Sequence, residues 1–172
     1  MKITIVSSAS VQNPEYLELA HKVGSFLASQ SFDLVVGGIS GSMMKIIYEE
    51  FIKRKNRVVC NTLSCYQDDL ICDNAVLYDQ TFDRLKGIYN QTDQIIVLPG
   101  GTGSLTELFG VLEEIRTQDQ QKKIIILNYH NFYTPILNFI DNLIDQGFNQ
   151  QDIKNYLIVV NTIEELKEKV SG

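Results

Sequence analysis

The 172-residue sequence predicts one Rossmann-like α/β domain over 1–172, with helices on both faces of a doubly wound, mainly parallel sheet. Three observations predict it. Strand-like and helix-like segments alternate along the whole chain. Two four-residue apolar runs, Ile95-Ile96-Val97-Leu98 and Ile124-Ile125-Ile126-Leu127, suit strands buried on both faces of a parallel sheet. Two glycine-rich loops each follow a strand and precede a helix, and in doubly wound sheets such loops form the ligand crevice.

The elements follow in order. The β-branched run at 2–8 reads as a strand. Asn13-Pro14 supplies an N-cap and a first-turn proline, and Tyr16, Leu19, Ala20, Val23, Phe26 and Leu27 recur at helical spacing, so 13–30 is an amphipathic helix. A buried strand at 32–36 ends in Gly37-Gly38; a helix at 42–54 and a strand at 57–60 come next. Residues 61–73 carry neither period and read as a functional loop. A short strand at 75–78, a helix at 80–91 and strands at 94–98 and 122–127 follow, with a helix at 104–117 between the last two. A helix at 132–146, a strand at 157–160 and a helix at 162–170 complete the chain.

Composition narrows the class. Fifteen Lys+Arg against 21 Asp+Glu give a net charge of −6 and a pI near 4.9, which argues against binding nucleic acid or anionic membrane through bulk charge. An anionic ligand would have to be held locally, by backbone amides and a few cations such as Arg84. The opening residues are too short for a signal-peptide core, and no apolar run approaches the roughly 20 residues that span a bilayer. Three cysteines, Cys60, Cys65 and Cys72, suit reduced thiols in a cytoplasmic protein better than a disulfide framework. Their spacing is not a common zinc spacing, and His21 and His130 lack partners at ligand spacing, so no metal site is expected.

The chemistry is sought in the glycine loops Gly37-Gly38-Ile39-Ser40-Gly41-Ser42-Met43 and Pro99-Gly100-Gly101-Thr102-Gly103-Ser104-Leu105-Thr106-Glu107. Glycine lets backbone amides approach an anion closely, and the following helix points its positive end at it. Tight turns alone would also explain the glycines. Gly101-Thr102-Gly103-Ser104-Leu105-Thr106 begins a dinucleotide fingerprint but ends in Thr, and no P-loop is present. Glu107 has two readings: with Ser104 it fits a capping box, or its carboxylate enters the phosphate loop. Arg84 likewise reads as a solvated surface residue or as a site residue.

Pro99 to Glu107 closely resembles the PGGxGTxxE motif of the LOG family, cytokinin-activating nucleoside 5′-monophosphate phosphoribohydrolases whose members are often labelled "possible lysine decarboxylase". Ser7-Ser8, Pro14-Glu15-Tyr16, the Gly37–Met43 loop, Thr92-Asp93 and Gly147-Phe148 resemble further family landmarks, and Arg84 stands where the family has the Arg of an Arg-Lys pair. The resemblance implies Arg84 and Glu107 as the catalytic pair. Ser8, Gly37, Gly38, Gly41, Gly100, Gly101, Thr102, Gly103 and Ser104 become the phosphate- and substrate-binding set. It further implies a nucleotide substrate such as AMP or an N6-modified AMP, no cofactor, and a homodimer with the site near its interface. The apolar stripes Met43-Ile46-Ile47-Phe51 and Leu105-Leu108-Val111-Leu112 suit either that interface or the core. The chain departs from the family pattern at Leu85 (Lys), Ser104 (Thr), Val36 and Met44 (both Gly), and 61–79 matches no substrate loop. Nothing marks a Schiff-base lysine for a decarboxylase. The alternative to an enzyme is a non-catalytic carrier of a phosphorylated ligand, similar to the molybdenum-cofactor carriers.

Overall fold

The computed structural model describes residues 1–38, 41–118, 122–149 and 151–171. Ile39 and Ser40 of the first glycine loop lie outside the described residues. The strands are β1 Lys2–Val6, β2 Asp33–Val36, β3 Val58–Leu63, β4 Ala75–Tyr78, β5 Gln94–Val97, β6 Ile124–Leu127 and β7 Leu157–Val160. They form one sheet in the order β4-β3-β2-β1-β5-β6-β7, and every neighbouring pair is parallel. The helices are α1 Pro14–Ser29, α2 Ser42–Lys53, α3 Thr81–Gln91, α4 Thr102–Gln118, α5 Thr134–Asp145 and α6 Ile163–Ser171. The expected Rossmann-like α/β class is what the structure shows, with the sheet parallel throughout rather than mainly so.

The strand order explains where a site can form. The chain winds from β1 outward to β4, then crosses back to β5 beside β1, with Val6 opposite Val97. Connections leave β1 and β5 in opposite directions, so a crevice opens beyond their carboxyl ends. Alternation along the buried strands feeds two apolar layers. Ile3, Ile5, Leu34, Val36, Ile96 and Leu98 face Leu19, Val23, Met43, Ile47 and Phe51 of α1 and α2. Val6, Ile95, Val97, Ile124 and Ile126 face Leu108, Val111, Leu112 and Ile140 of α4 and α5.

Met43, Ile47, Phe51, Leu108, Val111 and Leu112 are therefore core, and Ile46 and Leu105 pack against it, so the two stripes do not form an exposed surface. Large apolar side chains are instead exposed on β4, α3 and α4, at Val76, Leu77, Phe82 and Phe109. Asn13 caps α1 as expected, its Oδ1 accepting from the Glu15 amide at 3.0 Å. β1 stops at Val6, two residues early, because Ser7 and Ser8 turn into the crevice. β3 runs three residues beyond the expected 57–60, through the buried polar Asn61 and Thr62.

The cysteines bring a correction. Cys60 and Cys72 are joined by a disulfide, with Cα atoms 6.4 Å apart, while Cys65 is free and exposed. The spacing of the cysteines does not encode this pairing. It arises because the chain leaving β3 turns back through a 3-10 segment, Ser64–Asp69, to enter β4 alongside.

Candidate active site

Residues at the carboxyl ends of β1, β2, β3 and β5 line one cavity of about 580 Å³. Beyond β1 stand Ser7 and Ser8. The Ser8 Oγ accepts from the amides of Ser10 and Val11, at 3.2 and 3.1 Å, and so fixes that turn. The Ser7 hydroxyl is buried at the cavity wall and has no hydrogen-bond partner among the described residues. Beyond β5, Leu98-Pro99-Gly100-Gly101 leads into α4, whose first residues Thr102, Gly103 and Ser104 line the cavity. The start of α4 leaves backbone N–H groups unpaired within the helix and aimed at the crevice, the arrangement that attracts a phosphate.

This loop is held from both sides. The Ser104 hydroxyl donates to the Ser7 carbonyl at 3.2 Å, tying α4 to β1. Tyr133, fully buried before α5, donates to the Leu98 carbonyl at 2.8 Å, and burial pushes its phenol well up, so it remains a donor. A Cβ on Gly100 would strike the Ser104 side chain, so glycine there lets the turn close.

Arg84 reaches the cavity from α3 and Glu107 from the second turn of α4. The Arg84 Nη2 donates to Glu107 Oε1 at 2.9 Å and its Nη1 to the Gly37 carbonyl at 2.5 Å. Both side chains are only 14% exposed. Of the two readings of Glu107, the structure carries the second: its carboxylate pairs with Arg84 inside the cavity, and Ser104 turns to Ser7 instead of capping α4. Arg84 is likewise not a solvated surface residue. Burial pushes the Glu107 carboxyl up from the usual carboxylate range, and the Arg84 guanidinium offsets part of that rise. A Cβ on Gly37 would collide with both members of the pair, so glycine is what lets the strand end approach them.

Of the expected site residues, Ser8, Gly37, Gly38, Gly101, Thr102, Gly103, Ser104, Arg84 and Glu107 meet around this cavity. Gly41 and Gly100 do not line it. Gly41 lies at the amino end of α2, where an added Cβ would meet the Ala9 carbonyl oxygen, and Gly100 shapes the β5 turn. Sequence reasoning missed Ser7 as a lining residue, and it missed the apolar group Met44, Leu63, Tyr66 and Leu70. Only topology brings that group in, because β3 lies two strands from β1. Leu85, where the family pattern has Lys, is buried and packs against Gly110 of α4, so that position serves the α3–α4 contact.

A wider groove of about 1010 Å³ runs past α1, α2 and α6. Its basic side chains are largely paired, His21 with Glu50 and His130 with Glu15. Among the described residues no three His, Cys, Asp or Glu side chains stand together as a metal set. No helix of the described residues is long and apolar enough to cross a membrane.

Residues 35–170 match the family described as "possible lysine decarboxylase". A probable cytokinin riboside 5′-monophosphate phosphoribohydrolase of rice, LOGL2, is 27% identical over 159 residues, covering 90% of this chain and 65% of its own length. The chain thus spans somewhat less than two thirds of that relative. A cytokinin riboside 5′-monophosphate phosphoribohydrolase of Mycobacterium tuberculosis is 25% identical over 167 residues, covering 95% of this chain and 89% of its own. The molybdenum cofactor carrier protein of Chlamydomonas reinhardtii superposes with a TM-score of 0.73 at 13% identity, covering 99% and 95% of the two chains. At that identity the likeness is one of fold.

Proposed function

The chain belongs to the possible lysine decarboxylase family, and on that premise we propose that it hydrolyses the N-glycosidic bond of a nucleoside 5′-monophosphate. The substrate is AMP or an N6-modified AMP, and the products are the free base and ribose 5-phosphate. The single observation that carries this reading is the Arg84–Glu107 pair, largely buried in the cavity that the amino end of α4 opens onto.

The residues divide the work by their physics. Amides of the Gly101–Ser104 turn and the positive end of α4 hold the 5′-phosphate without bulk positive charge, which suits a chain of net charge −6. Breaking the C1′–N bond builds positive charge on the ribose. The ionised Glu107 stabilises that charge and orients the water whose oxygen bonds to C1′, while a proton passes to the departing base. Arg84 favours the ionised form of Glu107, offsetting part of the effect of burial, and fixes its direction. Ser8, Gly37 and Gly38 complete the ribose side of the pocket. The chain acts as one domain, in the cytoplasm, without a cofactor. It forms a homodimer through the exposed apolar side chains of β4, α3 and α4.

The test is base release, followed by chromatography, from purified protein incubated with AMP and N6-substituted AMP. Glu107→Gln lowers the rate of release by about 10²- to 10⁴-fold with the fold intact. No release from a broad panel of purine and pyrimidine monophosphates overturns the proposal.

A second reading, a carrier of a phosphorylated pterin, draws on the fold shared with the Chlamydomonas carrier and on the apolar wall at Met44, Leu63, Tyr66 and Leu70. A carrier needs anion contacts but no carboxylate facing a ribose, so Glu107 favours the enzyme. Pterin co-purifying with the protein, seen by its fluorescence after oxidation, reverses that preference.

A further inference from the structure

The segment that follows β3 has no part in the chemistry above, yet it forms one side of the same cavity. Leu63, Tyr66 and Leu70 line it together with Met44 of α2, whereas most of the polar lining comes from the β1 and β5 loops, Arg84 and Glu107, with Thr62 the one polar side chain that β3 adds. Tyr66 is 59% exposed, so its ring is not committed to the core and its face is available to a ligand. A segment this exposed would ordinarily be mobile, but three separate ties hold it. The Cys60–Cys72 disulfide closes its base. The Ser64 hydroxyl bonds Asp79 Oδ1 at 2.8 Å beyond β4, and the Tyr48 hydroxyl of α2 donates to the Ile71 carbonyl at 3.1 Å.

We propose that this stapled segment is the wall that selects the ligand's planar heteroaromatic group: Tyr66 stacks on the base, and the Cys60–Cys72 disulfide positions Tyr66 to do so. The inference rests on the nucleotide reading of the site and adds how the base is chosen. Met44, Leu63 and Leu70 offer the base no hydrogen-bond pattern to match and only the Thr62 hydroxyl stands beside them, so selection here is mainly by flatness and apolar fit, which tolerates an apolar substituent on the base edge. Stacking on one aromatic ring contributes roughly five- to 150-fold in affinity. Ribose 5-phosphate, which lacks the base, draws nothing from this wall.

The staple is also a point of control in a thiol-rich compartment. A dithiol reductant's thiolate attacks Cys72 Sγ, the less buried of the two at 8% exposure against 0%, and expels Cys60 as a thiolate. The reductant's second thiol then displaces Cys72. Two electrons pass to the protein, which gains two thiols, and the reductant leaves as a cyclic disulfide.

The experiment is calorimetric titration with two probes that the protein does not turn over: ribose 5-phosphate and the carbocyclic analogue of AMP, in which a methylene replaces the ribose ring oxygen. The readout is the ratio of their affinities. Tyr66→Ala lowers the preference for the base-bearing probe by about tenfold, and Tyr66→Phe restores it. Dithiothreitol lowers the same ratio once mass spectrometry after alkylation shows all three cysteines free. A ratio within about twofold of wild type in Tyr66→Ala, with both probes bound, overturns the stacking role. An unchanged ratio in the fully reduced protein overturns the positioning role of the disulfide. If wild-type protein binds neither probe, the nucleotide reading itself fails, and this inference with it.

Discussion

The Glu107 carboxyl sits where burial disfavours charge and pushes its pKa up, with one guanidinium to offset part of that cost. The ionised form is the one the proposed chemistry uses, and its fraction grows as pH rises through a value above the ordinary carboxylate of about 4.3. We expect kcat/KM for AMP to climb with pH along an acid limb displaced upward from that value; a limb at the ordinary position contradicts the buried-pair geometry. Glu107→Gln lowers kcat by about 10²- to 10⁴-fold, the usual scale for losing such a group. Stability moves the opposite way. Between the unfolded and the raised folded value the folded chain binds the proton more tightly, so stability falls as pH rises through that interval. Glu107's contribution to that slope disappears in Glu107→Gln, measured by denaturant melts of both proteins across pH. Gly37 offers an independent test. Its added Cβ meets only the flexible ends of Arg84 and Glu107, which can yield, so Gly37→Ala displaces the pair at little cost to folding. We expect kcat/KM to drop by about 10- to 100-fold with a nearly unchanged melting temperature. None of this was visible locally. Arg84 and Glu107 are 23 residues apart, and a capping box explained Glu107 as well until the tertiary contact was seen.

At the scale of elements, periodicity located each α-helix and strand of the described residues and misjudged mainly their ends, while the short 3-10 segments such as Ser64–Asp69 went unread. α1, α2, α3 and β7 fall within a residue or two of their expected spans, because their apolar spacing and the Asn13-Pro14 start are local signals. β3 is the instructive failure. Asn61 and Thr62 fall in the stretch that carries neither period and reads as a loop, but both are buried strand residues. The Asn61 side-chain Oδ1 accepts from the Tyr78 hydroxyl of β4 and from Gln91 Nε2 of α3, each at 2.9 Å. Burying that oxygen costs little only because it has partners, and these lie 17 and 30 residues away. The α1–α2 contact yields a further prediction. An added Cβ at Gly24 would stand 3.2 Å from the Ile47 Cα, a backbone atom that cannot move without its helix. Alanine raises helix propensity by about 1 kcal/mol there, but overpacking costs about 1–3 kcal/mol. Gly24→Ala is therefore expected to destabilise the fold on balance, with the urea midpoint falling and activity per folded molecule retained.

Over the whole molecule, strand order decides the site more than any motif does. Because β1 and β5 are neighbours, Ser7, the Gly37 strand end and the Gly101–Ser104 turn converge from three distant stretches of chain. The same topology leaves Val76, Leu77, Phe82 and Phe109 exposed on adjoining elements, a surface that an isolated subunit would keep in water. If the proposed homodimer uses it, Phe82→Asp converts the dimer to a monomer in light scattering after size exclusion, with secondary structure intact. A wild-type monomer at micromolar concentration removes that part of the proposal.

The sequence by itself determined the class of fold and the position of the α4 anion loop. Both depend on short-range signals: apolar period, caps, glycines at strand ends and a specific nine-residue run. Tertiary structure alone decided that Glu107 faces Arg84 rather than its own helix end. It also placed the apolar stripes of α2 and α4 inside, joined Cys60 to Cys72, and made 61–72 a wall of the cavity. These are contacts between segments far apart in the chain or across a loop with no period. Their energies come from burial and pairing in space, which spacing along the sequence does not report.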